Sequence, residues 1–243
     1  MLSIRGWQRG ELPAHGPGTT GERHGCVRVE LPGHDVAAGS EPYAPMERVV
    51  EQVVAEITAR GLKEVLLWGH SSGTAFAVET AKRLQERGVE VQRVFLAAQL
   101  LGDAADRRAS ITELTRRSSA HIVTDLSADS GYTELGELDA QRAEHVAAAY
   151  RHDCLSAYSY FADALESPPV MKLSAPVTVV VAADDPITSA FHHRYGDWGA
   201  PGRTRRAARN PRRRPLLRAY PTDPGGTGRA RRRQTARLLL IGN

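Results

Sequence analysis

A chain of 243 residues, 41% of them hydrophobic, can bury one substantial core without help from disulfides or metals, so a single globular domain is expected. Its two cysteines, Cys26 and Cys154, lie far apart without Cys-x-x-Cys spacing, which argues against a disulfide framework and a zinc site and suits a reducing cytoplasm. The net charge of +4 conceals an asymmetry: Ala200 to Asn243 carries 13 arginines, no lysine and one acid, Asp223, a balance of +12 that leaves −8 on the remainder.

No stretch approaches the roughly 18 apolar residues of a membrane span, and Met1 to Glu11 lacks the apolar run of a signal peptide. A cytoplasmic protein without a membrane partner is expected. In chain order, apolar alternation from Val27 to Leu31 predicts a short strand closed by Pro32 and Gly33. Met46, Val49, Val50, Val53, Val54 and Ile57 then recur at helical spacing between Pro45 and Arg60, with Gly61 as the stop. That pattern predicts a helix with one buried face. Glu64 to Trp68 contains the run Val65-Leu66-Leu67-Trp68, which has the length and flanks of a strand buried on both faces. A second helix follows Gly73, turning Phe76, Ala77, Ala81 and Leu84 inward as far as Gly88, and Val91 to Ala98 is the next strand. This alternation predicts a parallel sheet with crossover helices. Asp106 to Ser167 is a largely helical insertion of lid size bearing Tyr150, Tyr158, Tyr160 and Phe161, before Val177 to Val181 supplies a last β-branched strand. Beyond Trp198 the apolar periodicity disappears and no core is specified.

Gly69-His70-Ser71-Ser72-Gly73 falls between a strand and a helix, the context that distinguishes a G-x-S-x-G nucleophile elbow from a turn with chance Gly and Ser. So tight a turn strains the serine backbone, and the flanking glycines avoid collisions while Ser71 is lifted toward substrate. The following helix directs its positive end at the site, where the Ser72 backbone N–H can donate to a developing oxyanion. Ser72 therefore reads as a backbone donor and Ser71 as the nucleophile. A serine hydroxyl needs a histidine base held by a carboxylate, here in the order Ser, Asp, His. Asp184-Asp185-Pro186 follows the last predicted strand, although an acidic pair there can also simply begin a turn. The histidine is missing: His192 and His193 come too soon after Asp185 to return over Ser71, and none follows them. His70 reads as part of the elbow's packing, and His121, His145 and His152 as structural or solvated residues of the insertion.

Leu31-Pro32-Gly33-His34-Asp35, the elbow, and Phe76 to Arg87 with its Glu79-Thr80-Ala81-Lys82-Arg83-Leu84 resemble the α/β-hydrolase thioesterases that serve nonribosomal peptide and polyketide synthetases. Ala157-Tyr158-Ser159-Tyr160-Phe161 and Asp184-Asp185-Pro186 strengthen the resemblance, whereas the elbow alone would fit any lipase, esterase or peptidase of the fold. The resemblance runs from Val27 to about Asp197. It implies an α/β-hydrolase core over 27–198 with a parallel central sheet flanked by helices and a helical lid at about 106–167. It also implies Asp185, the residue before proline, as the acid, with Asp184 as runner-up. Some members carry the acid after the preceding strand, which adds Asp103 and Asp106 as candidates; there the acid sits nearer the strand end, where this chain has Ala98. No cofactor or metal is implied, and substrates would arrive on the phosphopantetheine arm of an acyl or peptidyl carrier protein.

Both ends depart from this pattern, leaving the fold incomplete as written. Such thioesterases begin with a strand and a glycine-rich loop giving a second oxyanion donor, and end with a Gly-Gly-His segment carrying the base. Back-translating Arg5 to Leu12 with CGN and CTN codons and shifting one base forward permits Gly-Gly, forces Gly across Trp7–Gln8, and gives Asn or Ser next. The same shift across Arg212-Arg213-Arg214-Pro215-Leu216-Leu217 permits Asp-Gly-Gly-His-Tyr-Phe. Arginine runs are what GC-rich codons yield out of frame, so residues 1–26 and 199–243 are read as out-of-frame segments, the second an Arg-rich, disordered tail. The expected function is a serine thioesterase that hydrolyses or cyclises carrier-bound acyl or peptidyl chains, without its base as written. The alternatives are a carboxylesterase or lipase of the same fold and, as a different class, a nucleic-acid-binding module using the basic tail.

Overall fold

Strands and helices alternate in the order β1 (Cys26–Val29), α1 (Met46–Ala59), β2 (Glu64–His70), α2 (Gly73–Glu86) and β3 (Glu90–Ala97). Three helices follow, α3 (Ala104–Arg116), α4 (Ser119–Asp129) and α5 (Ala140–Glu166), and then β4 (Leu173–Ala182) and α6 (Phe191–Arg194). Three short strands, β5 (Gly202–Thr204), β6 (Ala208–Asn210) and β7 (Arg237–Ile241), come last. The structure is a computed structural model, which describes residues 26–35, 41–129, 138–167, 173–182, 188–194, 197–198, 202–204, 208–210 and 237–241.

All described strand pairs are parallel, in the order β1-β7-β2-β3-β4-β5 with β6 also on β4. Every strand therefore presents its carboxyl end on one rim. That rim receives the turn after β2, Ala98 after β3 and the chain leaving β4 at Ala182. The reason for α1 is visible in its residues: Pro45 precedes it, Glu47 complements its positive end, and Met46, Val49, Val50, Val53, Val54 and Ile57 are all buried. It packs on α2, whose Phe76, Ala77, Ala81 and Leu84 are buried.

Three expectations are corrected. β2 is not buried on both faces: Val65 and Leu67 are buried, whereas Leu66 and Trp68 stay half-exposed, with Trp68 stacked on Phe95 at 5.6 Å between ring centroids. The core on the Val65–Leu67 side includes α1 and α2, and the opposite face has thinner cover. β4 begins at Leu173, ahead of the expected Val177, despite Pro176. Proline lacks an N–H for the ladder, and pairing with β3 starts just after it, at Val94↔Val177, while the register with β5 shifts between Leu173 and Val177. Beyond residue 199, where no strand was expected, β5, β6 and β7 add to the sheet; β7 lies between β1 and β2. The reason is the run Leu238-Leu239-Leu240-Ile241, which with Arg237 makes a five-residue ladder on β2 though it is too short to show periodicity.

No helix among the described residues is long and apolar enough to cross a membrane. The insertion between β3 and β4 has a second small core of Leu114, Ile122, Ala147 and Cys154. Because the two faces of β2 differ in cover, Leu67→Ala is expected to destabilise the fold by about 2–5 kcal/mol and Leu66→Ala by clearly less. Urea unfolding midpoints of the two variants check this, and equal losses would mean that the half-exposed face is packed as tightly as the core.

Candidate active site

The chain turns sharply between β2 and α2, and Ser71 stands at the apex with φ 50°. That left-handed conformation is costly for a residue with a Cβ. It is held from three directions. The Ser71 N–H donates to the Ala97 carbonyl at the end of β3 at 2.8 Å. The Ser71 carbonyl accepts from Thr74 N at 3.1 Å and from Thr74 Oγ1 at 2.6 Å. Gly69 allows the close approach: a Cβ there would lie 2.5 Å from the Gly73 carbonyl oxygen and 2.7 Å from Thr74 Cα. Glycine is thus required at 69 by contact.

Ser72 is the residue preceding α2, itself in helical conformation, and makes no side-chain cap. Its backbone N–H lies among the first orphan donors of the helix, where the dipole favours negative charge. Among the described residues it donates to no backbone carbonyl outside regular helix and strand pairing. An oxyanion formed on a group attacked by Ser71 would find that donor available.

Of the expected partners, Asp184 and Asp185 lie outside the described residues. β4 delivers the chain to the same rim at Ala182. Asp103 and Asp106 have other work. Asp103 accepts from Asp106 N at 2.8 Å, the Asp106 carboxylate takes the Asp103 N–H in return, and the pair forms a capping box on α3. Asp106 also accepts from Arg194 Nη1 at 2.7 Å, a hydrogen bond that, with the Asp103 N–H, holds its carboxyl below the usual range. Ala98, the strand-end position weighed above for the acid, has φ 55° and its N–H donates to the Val180 carbonyl at 2.9 Å.

Among the described residues no histidine is hydrogen-bonded to Ser71. His70 is exposed at the end of β2, His121 is exposed on α4, and His193 is exposed on α6, its N–H committed to Ala190. His145 and His152 have structural partners, the His34 carbonyl oxygen at 3.3 Å and Asp153 Oδ1 at 3.2 Å. Sequence reasoning missed the residues that join these two. His34 Nε2 meets Asp153 Oδ2 at 2.9 Å, and Asp153 is buried. The available signal was spacing: Asp153 lies four residues from each of the buried alanines Ala149 and Ala157, and a carboxylate on a buried helix face calls for a partner. No group of three or more metal-ligating side chains occurs among the described residues.

Residues 3–226 match the model of the alpha/beta hydrolase family. Among solved structures, RedJ, the thioesterase of the prodiginine biosynthetic pathway in Streptomyces coelicolor, is 25% identical over 75% of this chain and 69% of that one, with a TM-score of 0.53. BorB, the type II thioesterase of the borrelidin biosynthetic cluster, is 19% identical over 75% and 70% of the two chains, with a TM-score of 0.52. A thioesterase domain bound with a dodecadepsipeptide is 15% identical over 75% and 71%, with a TM-score of 0.50. The last two likenesses show the fold. No curated protein matches.

The elbow yields a paired test. Gly69→Ala is expected to lose stability at or above the roughly 1–3 kcal/mol of an overpacked site. Ser71→Gly is expected to unfold no earlier than Ser71→Ala, because relief of about 1–2 kcal/mol of left-handed strain offsets glycine's greater freedom in the unfolded chain. Thermal unfolding of the three variants decides; an early-melting Ser71→Gly would mean the serine is unstrained.

Proposed function

We propose that this chain, which belongs to the alpha/beta hydrolase family, acts as a serine thioesterase on acyl or peptidyl groups carried by the pantetheine arm of a carrier protein in antibiotic-type biosynthesis. The observation that carries the reading is the strained Ser71 between Gly69 and Gly73, at the head of α2 and tied to β3. Its likeness to a prodiginine-pathway thioesterase at 25% identity supports the substrate class.

In this reading Ser71 Oγ attacks the thioester carbonyl, and the Ser72 N–H stabilises the oxyanion of the tetrahedral intermediate. Collapse expels the pantetheine thiolate, which takes the proton removed from Ser71. Water or a nucleophile of the acyl chain itself then releases the product from the serine ester. Asp185 orients the histidine that moves these protons. The insertion formed by α3, α4 and α5 shapes the acyl pocket and admits the arm.

The base itself belongs to the proposed shifted frame, in which Arg212 to Leu217 read as Asp-Gly-Gly-His-Tyr-Phe. The histidine then replaces Pro215, about thirty residues beyond Asp185. The family match begins at residue 3 and ends at residue 226, inside the second suspect segment, and the coding DNA decides the matter. An uninterrupted frame through Gly25 and Trp198 would sink the frame reading.

With the frame restored, the protein is expected to cleave an acyl-pantetheine thioester in preference to the oxygen ester of the same acyl group. Ser71→Ala should lower kcat/KM by about 10⁴-fold or more. Preference for the oxygen ester would point instead to a carboxylesterase or lipase. Salt-dependent nucleic-acid binding lost on deleting residues 200–243 would give the tail a function of its own and overturn the frame reading.

A further inference from the structure

α5 is a 27-residue helix shared between two cores. Toward its carboxyl end Ala157 and Phe161 belong to the main core, whereas Ala147 in its amino half and Cys154 near its middle belong to the small core of the insertion. Asp153 lies at the junction. The carboxyl half is held by Phe161 against Trp198, 5.4 Å between centroids, and by the Tyr160 hydroxyl donating to Glu79 Oε2 at 3.0 Å. The junction itself is held by His34, from the loop following β1 on the rim that carries the elbow.

With Asp153 ionised, the geometry calls for the imidazolium at His34. Nδ1 stands 3.0 Å from the Pro32 carbonyl oxygen and Nε2 stands 2.9 Å from Asp153 Oδ2. Carbonyl and carboxylate oxygens only accept, so both ring nitrogens must donate, and only the imidazolium carries two N–H groups. A neutral ring satisfies one acceptor and abandons the other at a buried position, at real cost. With both nitrogens engaged, His34 is also unfit to act as base for Ser71.

We propose that the His34–Asp153 ion pair is a pH-sensitive latch that holds the amino half of α5, and with it the helical insertion, against the loop following β1. Its use in admitting an acyl chain rests on the function proposed above. Several titratable groups surround the pair. From α5 come His152, which donates to Asp153 Oδ1 at 3.2 Å, and His145, which reaches the His34 carbonyl at 3.3 Å. From the segment before α1 come Tyr43, edge-on to His34 at 5.5 Å and stacked on His152 at 4.8 Å, and Glu41, which accepts from Gly33 N at 3.4 Å. Asp35 follows His34 in its own loop. Burial raises the Tyr43 phenol, with the Asp153 charge adding to it, so Tyr43 stays neutral throughout the range that matters.

Burial alone would depress the His34 pKa, but the hydrogen bond and charge of Asp153 and the carbonyls of Pro32 and Leu31 more than offset it, leaving it above 6.5. A raised histidine pKa contributes stability that is complete below the unfolded value and is lost as pH rises through the folded one. The latch therefore holds at acidic to neutral pH and releases on the alkaline side. The contacts of the carboxyl half do not titrate there: Glu79, despite burial, is held below the usual carboxylate range by Arg83 and Lys82. Arg194–Asp106, which ties α3 to α6, keeps its charges as well.

Hydrogen–deuterium exchange on the full chain between pH 6 and 9.5, corrected for intrinsic rates, tests this without any turnover. Protection of the α5 amides around Asp153 is expected to fall roughly fivefold or more across that range, while those around Phe161 hold. In His34→Gln, and likewise in Asp153→Asn, protection near residue 153 should be low throughout and lose its step. A flat profile in the unaltered protein, or a step that survives His34→Gln, overturns the latch. Should the variants fail to fold, ¹⁵N resonances of the unaltered His34 ring decide, since two protonated nitrogens at pH 6.5 are required and a neutral ring refutes the proposal. Failure of the thioesterase function would leave these readouts untouched, and failure of the latch would leave Ser71 chemistry untouched.

Discussion

The contact between Gly69 and the first turn of α2 is the constraint from which the site follows. A strand must give way to a helix within two residues, and the carbonyl of Gly73 then stands where any side chain at 69 would begin. This closeness forces Ser71 into φ 50°, a conformation unfavourable by about 1–2 kcal/mol for an L-residue. The hydrogen bond from Ser71 to Ala97 fastens the strained residue to the neighbouring strand. The serine is thus presented by rigid elements on both sides, and the orphan donors of α2 are delivered to the same place by the same turn.

The parallel sheet extends that logic to the whole rim. Because β2, β3 and β4 run in one direction and pair side by side, the turn carrying Ser71, the chain after β3 and the chain after β4 must all emerge on one rim, the usual place for a site in such sheets. The insertion enters from the β3 exit and returns through α5, whose amino half packs with α3 and α4 and meets the loop following β1 at His34. A buried His34–Asp153 pair is a costly way to make such a contact, since two charges must be desolvated. A hydrophobic pair would hold as well but would not respond to pH.

What could be read from the chain followed local physics. The periodicity of Val49 to Ile57 needs no knowledge of neighbours, and α1 begins and ends within a residue or so of its expected bounds. The strained turn at Ser71 was legible because its requirements are confined to five consecutive residues. The errors arose where a residue's fate depends on a remote partner. Leu66 and Trp68 look as apolar as Val65 and Leu67, and only the placement of α1 and α2 separates them. Pro176 looks like a strand terminator, and only the register with β3 shows that its missing donor is not needed. Asp153 looks like one more polar residue on a long helix until His34 arrives from 119 positions away.

The position of β7 bears on the proposed frame. It fills a slot between β1 and β2, with Leu238 to Ile241 paired on both sides. Any extended segment satisfying two ladders can occupy such a slot, so the slot is a property of its neighbours more than of its occupant. Ile241 stands opposite Gly69 in the register, so the carboxyl end of that slot lies beside the turn that bears Ser71. In the proposed mechanism the tetrahedral intermediate on Ser71 takes a second donor besides the Ser72 N–H, and the strand end beside Gly69 is a place from which one can come. The thioesterases that the core resembles begin with a strand leading into a glycine-rich loop, the sequence that the shifted reading permits across Arg5 to Leu12. In the proposed frame the residues of β7 are themselves replaced, which would leave the slot between β1 and β2 to that strand and the glycine-rich loop after it to supply the second N–H.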